Sequence, residues 1–249
     1  MNLRPQHFEC RASALFFVDK NASATMLPTV LSQHIKEDCM GRVKLILFDW
    51  NGTLLNDTMA VTWPSVKALF ADFSIPPPDM LTFMKEVQEA DGNYVVPLRS
   101  RGAEVSTEEF RERYADYYTE RMEHARLFND VIPTFNELVS KDVQLGLVTA
   151  QRSHLINPFL KKYGLMRYFS CLETEQVDKT GAINWIVGMS HFRAEECWYV
   201  GDQPSDVRYA QKAQVVSIAL LTDGIDEHLF DATEPDFIIR KLGELIELI

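Results

Sequence analysis

The sequence predicts an α/β fold, a parallel sheet covered on both faces by helices, with a helical module inserted after the first strand. Three observations carry that reading. Short apolar runs bounded by polar turns recur along the chain, and helical patterns separate them. Between the first two runs the rhythm breaks, leaving a stretch with helical patterns and no convincing strand.

Val43–Phe48 is the first apolar run, and it ends in the polar, glycine-containing turn Asp49-Trp50-Asn51-Gly52-Thr53. Thr58–Phe73, Asp79–Gln88 and Thr107–Arg126 read as helices, with Pro64 placed to kink the first and Pro76-Pro77-Pro78 to end its arm. Ser106-Thr107-Glu108-Glu109 has the form of a capping box and sets the start of the third. Val143–Val148, Cys197–Val200, Val215–Ala219 and Phe237–Ile239 supply four more strands. Helices are expected between and after them at Pro133–Lys141, His154–Tyr163, Ala182–His191, Ser205–Ala213 and Leu242–Leu248. Pro133 suits the first turn of its helix and Gly164 a C-terminal cap. The expected organisation is an extension over 1–39, a core domain from 40–56 and 128–249, and a helical domain over 57–127.

Composition narrows the function classes. With 25 basic and 36 acidic side chains in 249 residues, the net charge of −11 disfavours nucleic acid and anionic membranes as partners. The longest apolar run, Ala14–Val18, is far short of the roughly twenty residues a membrane span needs. Cys10, Cys39, Cys171 and Cys197 are scattered with no CxxC pair, as expected of reduced, buried thiols in a cytoplasmic protein. The first 39 residues carry four basic and four acidic side chains, and their one apolar stretch, Ala12–Val18, stops at Asp19-Lys20. That is too short for a secretory signal. The segment is expected to be a poorly ordered extension, or residues upstream of the true start, whose removal leaves the fold intact.

Polar residues at the carboxyl ends of parallel strands build sites in open α/β sheets. Here those ends offer Asp49, Thr149 and Asp202, with Asp206 one helical turn beyond. Any one of them alone reads as a cap or turn residue. Together at one end of a sheet, the carboxylates suit a hard, oxygen-ligated cation such as magnesium.

These residues resemble the motifs of the haloacid dehalogenase superfamily, in particular its phosphoglycolate-phosphatase-like members with an inserted helical cap. The first motif of that family, Asp-x-Asp-Gly-Thr, is matched by Asp49-Trp50-Asn51-Gly52-Thr53, and the second by the strand ending in Thr149. Lys179 in Asp178-Lys179-Thr180-Gly181 matches the third, and Gly201-Asp202-Gln203-Pro204-Ser205-Asp206 the fourth. The resemblance spans about Val43 to the C-terminus and implies a Rossmann-like core with a cap domain. It also implies a phosphatase that is magnesium-dependent and acts on a small phosphorylated molecule. Asp49 is then the nucleophile that forms an aspartyl-phosphate. Magnesium is held by Asp49, the Asn51 main-chain carbonyl, Asp202 and Asp206. Lys179 and Thr149 stabilise the transferring oxygens, with Ala150 beside them in the substrate site.

One position departs from the pattern. The family's second Asp, which protonates the leaving group and later activates water, is Asn51 here. An amide hydrogen-bonds but does not shuttle protons at neutral pH. The Trp-x-Gly-Thr context is similar to phosphonate hydrolases, which leaves carbon–phosphorus cleavage as an alternative, with Lys67 or Lys85 as its Schiff-base lysine. A second alternative is a catalytically weak protein that binds a phospho-ligand. In the cap, the polar loop Asp91–Gly102 is placed to face the site, with Arg99 or Arg101 as a clamp for a second anionic group. Arg111, Arg113 and Arg121 read as a solvated helix face paired with neighbouring glutamates.

Overall fold

The computed structural model describes residues 42–90, 92–222 and 227–249. The expected N-terminal extension lies outside the described residues, as do Asp91 and residues 223–226.

Six strands form one parallel sheet in the order β5-β4-β1-β6-β7-β8. They are β1 (Leu45–Phe48), β4 (Gln144–Val148), β5 (Phe169–Glu173), β6 (Cys197–Gly201), β7 (Val216–Leu220) and β8 (Phe237–Ile239). All four side chains of β1 are buried because both faces of the sheet are covered. Ile46 and Phe48 pack with Phe135 and Leu138 of α5 (Val131–Ser140) and with Leu155 and Phe159 of α6 (Ser153–Tyr163). Leu45, on the opposite face, packs with Ile183 and Ile186 of α7 (Thr180–Ser190) and Ala210 of α8 (Pro204–Lys212). The chain ends in the short helix α9 (Leu245–Leu248). No described helix is long and apolar enough to cross a membrane.

Between β1 and β4 the chain leaves and re-enters the core through a two-stranded antiparallel ribbon, β2 (Leu55–Asn56) and β3 (Arg126–Leu127). Beyond it lie α1 (Trp63–Asp72), α2 (Met80–Glu89), α3 (Val96–Arg99) and α4 (Thr107–Arg121). These helices have an apolar cluster of their own, built on Leu69, Phe70, Phe83, Val87, Leu98 and Phe110.

Several elements differ from the sequence expectation. β5 has no uniform apolar run, since Phe-Ser-Cys-Leu-Glu lies at the sheet edge with none of its residues fully buried. The first cap helix opens as a π turn over Thr58–Thr62, where both Val61 N and Thr62 N donate to the Asp57 carbonyl. Pro64 is the second residue of α1, directly after that π turn. Helix α4 stops at Arg121, and Arg126 belongs to β3. Ser106 Oγ does accept from Glu109 N at 3.0 Å, but the Glu109 carboxylate pairs with Arg113, so only half of the capping box forms. Gly164 terminates α6 in the left-handed conformation, φ 64°.

Candidate active site

The parallel registers of β1 with β4 and β6 set Asp49, Thr149 and Asp202 at neighbouring strand ends. The Asp49 amide continues the ladder by donating to the Val200 carbonyl at 2.9 Å. The chain then turns sharply at Gly52, whose φ of 74° and close packing both require glycine: a Cβ there would lie 2.2 Å from Asp202 Oδ2. Thr53 Oγ1 and Gln203 Nε2 donate to the two oxygens of Asp202, at 3.0 and 2.8 Å. Asp206 lies in the first turn of α8 and accepts from Gln203 N at 3.1 Å, which joins it to the cap of that helix.

Lys179, just ahead of α7, reaches into this cluster. Its Nζ lies 2.8 Å from Asp49 Oδ1 and 2.7 Å from Asp206 Oδ1, and all three side chains are buried. Burial pulls the Lys179 pKa down, but the Asp206 and Asp49 carboxylates outweigh it and hold the ammonium well above its ordinary range. Burial, then the Asp206 and Asp49 charges, push Asp202 well above the usual carboxylate range. Burial also pushes Asp206 up to about 6, against the pull of Lys179.

Carboxylate oxygens of Asp49, Asp202 and Asp206 all lie within 4.8 Å of one another. With all three carboxylates ionised, the one ammonium leaves a net charge of −2 in a buried pocket, a balance that a divalent cation closes. The all-oxygen donor set fits a hard cation such as magnesium.

Asn51 is fixed by a separate buried network. Its Nδ2 donates to Asp57 Oδ2 at 2.5 Å, and its Oδ1 accepts from Gln151 Nε2 at 3.3 Å. Asp57 is fully buried and also accepts from Tyr118 Oη (2.7 Å), Thr62 Oγ1 (3.0 Å) and the Gly52 amide (3.2 Å). Burial raises the Asp57 pKa, and these four donors work against the rise. Sequence reasoning missed Asp57, because a carboxylate after Leu54-Leu55-Asn56 carries no mark that it will be enclosed.

The strand ends open into a cavity of about 210 Å³ lined by both the core and the helical insertion. Asp49, Asn51, Thr149, Ala150, Lys179, Asp202 and Asp206 line it from the core. From the helices come Asn93, Tyr94, Phe110, Arg111 and Tyr114. The first half of the polar cap loop therefore faces the site, whereas its two arginines do not. Arg99 Nε donates to the Val105 carbonyl, and Arg101 forms a forked pair with Glu86 at 2.6 and 2.7 Å. Both guanidiniums are spent on cap structure. Lys67 and Lys85 are exposed and line no part of the cavity. Arg113 and Arg121 are surface pairs as expected, but Arg111 is not: its Nη2 is buried without a hydrogen-bond partner. The signal was present in the spacing, since Thr107, Phe110, Arg111, Tyr114 and Ala115 form one helical stripe.

The chain is similar to several known proteins. Phosphoglycolate phosphatase of Vibrio parahaemolyticus is 25% identical, with 83% of this chain and 96% of that protein covered. Pyrophosphatase PpaX of Oceanobacillus iheyensis is 23% identical, covering 83% and 97%. Among solved structures, a haloacid dehalogenase-like family hydrolase from Streptococcus pneumoniae superposes with a TM-score of 0.68 at 19% identity, over 82% of this chain and 97% of that one. A predicted phosphoglycolate phosphatase from Haemophilus somnus gives 0.66 at 21% identity, covering 84% and 99%. Residues 46–220 match the model of the haloacid dehalogenase-like hydrolases, a span that includes the Asp49 turn, Thr149, Lys179 and the Asp202–Asp206 pair. By that match, the chain belongs to the haloacid dehalogenase-like hydrolase family.

Proposed function

We propose that this hydrolase is a magnesium-dependent phosphatase of small phosphorylated molecules, working through an aspartyl-phosphate on Asp49. The observation that carries the reading is the buried Asp49–Lys179–Asp206 contact beside Asp202 at the mouth of a small cavity. The names of the relatives, phosphoglycolate phosphatase and pyrophosphatase, support the substrate class.

Lys179 holds Asp49 Oδ1, while Oδ2 takes no hydrogen bond from any described residue. That free oxygen attacks phosphorus, a P–O bond forms, and the ester P–O bond breaks. Lys179 and Thr149, both lining the cavity, carry the charge on the transferring oxygens. Magnesium held by Asp49, Asp202, Asp206 and the Asn51 main-chain carbonyl would supply Lewis-acid charge stabilisation. Water then hydrolyses the acyl phosphate and regenerates Asp49.

Asn51 cannot give a proton to the leaving alkoxide in the first step, nor take one from water in the second. Its amide N–H is turned away to Asp57, and what it offers toward Gln151 is a carbonyl oxygen. This arrangement favours, as a second reading, a protein that holds a phospho-ligand and turns it over slowly. Schiff-base chemistry on a phosphonate loses support, because Lys179 is the one lysine lining the cavity among the described residues, and it is ion-paired.

A panel of aryl, acyl and alkyl phosphates assayed with and without magnesium tests the proposal, with the Asp49→Asn chain alongside. Magnesium-dependent release of phosphate by the native chain and loss of it in Asp49→Asn are expected. Undiminished turnover in Asp49→Asn removes Asp49 as the nucleophile.

A further inference from the structure

We infer that Arg111 is the specificity-determining residue of the cavity, receiving a second oxyanion at the end of the substrate away from the transferred phosphoryl group. The inference deepens the phosphatase reading and rests on it for the identity of the phosphoryl end.

Arg111 makes no hydrogen bond or ion pair with any described residue, its Nη2 is enclosed without a partner, and the residue lines the cavity. A guanidinium nitrogen enclosed without a partner is costly, so its retention calls for an anion that arrives from outside. Two glutamates of its own helix are already paired elsewhere. Glu108, one helical turn earlier, crosses to Arg152 of the core at 2.5 Å, and Glu109 pairs with Arg113 at 2.8 Å. Every other arginine of the insertion has a partner: Arg99, Arg101, Arg113, Arg121 and Arg126 all hydrogen-bond within it.

The position suits the task. Arg111 lines the cavity from the helical insertion, and Asp49 and Lys179 line it from the core. A ligand in that one cavity shares it with the phosphoryl machinery and with Arg111. Tyr94 shares that lining, and its hydroxyl has no hydrogen-bond partner among the described residues, so it is a second donor on the same side. The planar guanidinium fork matches a carboxylate or phosphate through two parallel hydrogen bonds, which an ammonium cannot do. The substrate class is thus a small phosphate monoester with a second anionic group, and uncharged esters of the same size are disfavoured.

The test compares phosphoglycolate with its uncharged carboxamide counterpart, in native, Arg111→Gln and Arg111→Lys chains with magnesium. The native chain should prefer the charged ester. In Arg111→Gln the ratio of kcat/KM between the two should fall roughly 10- to 100-fold, the usual range for losing a hydrogen bond to a charged group. The loss should lie mainly in KM, and Arg111→Lys should restore only part of it. Binding of both ligands to the Asp49→Asn chain, with and without Arg111→Gln, gives a readout that needs no turnover. If the native chain hydrolyses neither ester while Asp49→Asn binds the charged one more tightly and Arg111→Gln removes that preference, the phosphatase reading fails and the Arg111 assignment stands. If both esters are hydrolysed and Arg111→Gln leaves their ratio unchanged, or if Asp49→Asn binds the two equally, the assignment is overturned.

Discussion

Asn51 Nδ2 lies 2.5 Å from Asp57 Oδ2, inside a buried network that also holds Tyr118 and Thr62. An Asp at position 51 would set two carboxylates at that distance, and two such groups cannot both ionise. The pair would keep a proton above the ordinary carboxylate range, which is what a general acid needs. The structure therefore already contains the neighbour that would tune an acid at position 51.

The Asn51→Asp chain should turn over alkyl phosphates faster by up to about 10² to 10⁴-fold, the usual worth of acid–base assistance. Its rate should also depend less on leaving-group acidity. In the native chain, aryl and acyl phosphates should be favoured, because a poor alkoxide leaves unprotonated. Rates across a series of esters measure both effects. The Asn51-Gly52 peptide is prone to deamidation, so its mass must be checked before residual activity is credited to the amide. An Asp variant with the same rates and the same slope would mean that position 51 plays no acid–base role.

Replacing Asp57 by Ala should destabilise the chain whether or not it is active. The change removes the acceptor from Asn51 Nδ2, Tyr118 Oη, Thr62 Oγ1 and the Gly52 amide. Each orphaned buried donor costs about 1–3 kcal/mol, and water or rotation recovers some of them, so a loss of about 3–5 kcal/mol is expected. For a chain of this size that lowers Tm by roughly 10 °C, readable by calorimetry. A fall of only a degree or two would show that the network relaxes without Asp57.

The glycines beside the carboxylates permit a test of the metal site that touches no ligand. In Gly201→Ala the new Cβ would lie 2.3 Å from Asp206 Cγ, and in Gly52→Ala it would lie 2.2 Å from Asp202 Oδ2. Gly52 also has φ 74°, whereas Gly201 has no positive φ, so Gly201→Ala isolates crowding from backbone strain. Gly201→Ala should fold, yet lose the rise in Tm that the proposed site predicts for the native chain on adding magnesium. An unchanged magnesium response in Gly201→Ala would show that Asp206 can move aside without loss.

What the sequence made legible follows burial. The central strands β1, β4, β6 and β7 are covered on both faces, and so they read as continuous apolar runs. Edge strand β5 is half-covered and mixes Phe, Ser, Cys, Leu and Glu, which leaves neither a run nor a clean alternation. The ribbon β2–β3 has two residues per strand, too few for any periodicity, and its pairing depends on residues far apart in the chain. The site residues at the strand ends were legible because topology fixes where a parallel strand stops. The cap arginines were not, because which of them lines the cavity depends on tertiary partners: Glu86 takes Arg101 and the Val105 carbonyl takes Arg99, whereas Arg111 lines the cavity with its Nη2 unpaired. The helical stripe Phe110–Arg111–Tyr114–Ala115 held that information, and a charged residue on an apolar stripe is the feature to weigh.

Protons and magnesium should compete for the same carboxylates, and the sign of that competition follows from the raised pKa values. Asp206 stands at about 6 against an ordinary 3.8, and Asp202 is also raised. Between those two values the metal-free folded chain holds protons that the unfolded chain releases. Its stability should therefore fall as pH rises from about 4 to about 6, the reverse of an ordinary ion-paired aspartate. Lys179 stays charged throughout, since its pKa is held above the ordinary value. On the proposed reading magnesium takes the ionised carboxylates, so its stabilising effect should grow over the same window. At a concentration of ~100 Kd, magnesium would add about 2.7 kcal/mol at pH 7.5. That corresponds to a rise in Tm of roughly 5–10 °C for a domain of this size. At pH 5 the rise should shrink toward zero, and a chelator should abolish it at either pH. Thermal melts at the two pH values, with and without magnesium, measure this directly. A magnesium shift as large at pH 5 as at pH 7.5 would mean that Asp202 and Asp206 are ionised well below 5. The cation would then be held by groups that do not exchange protons in this range.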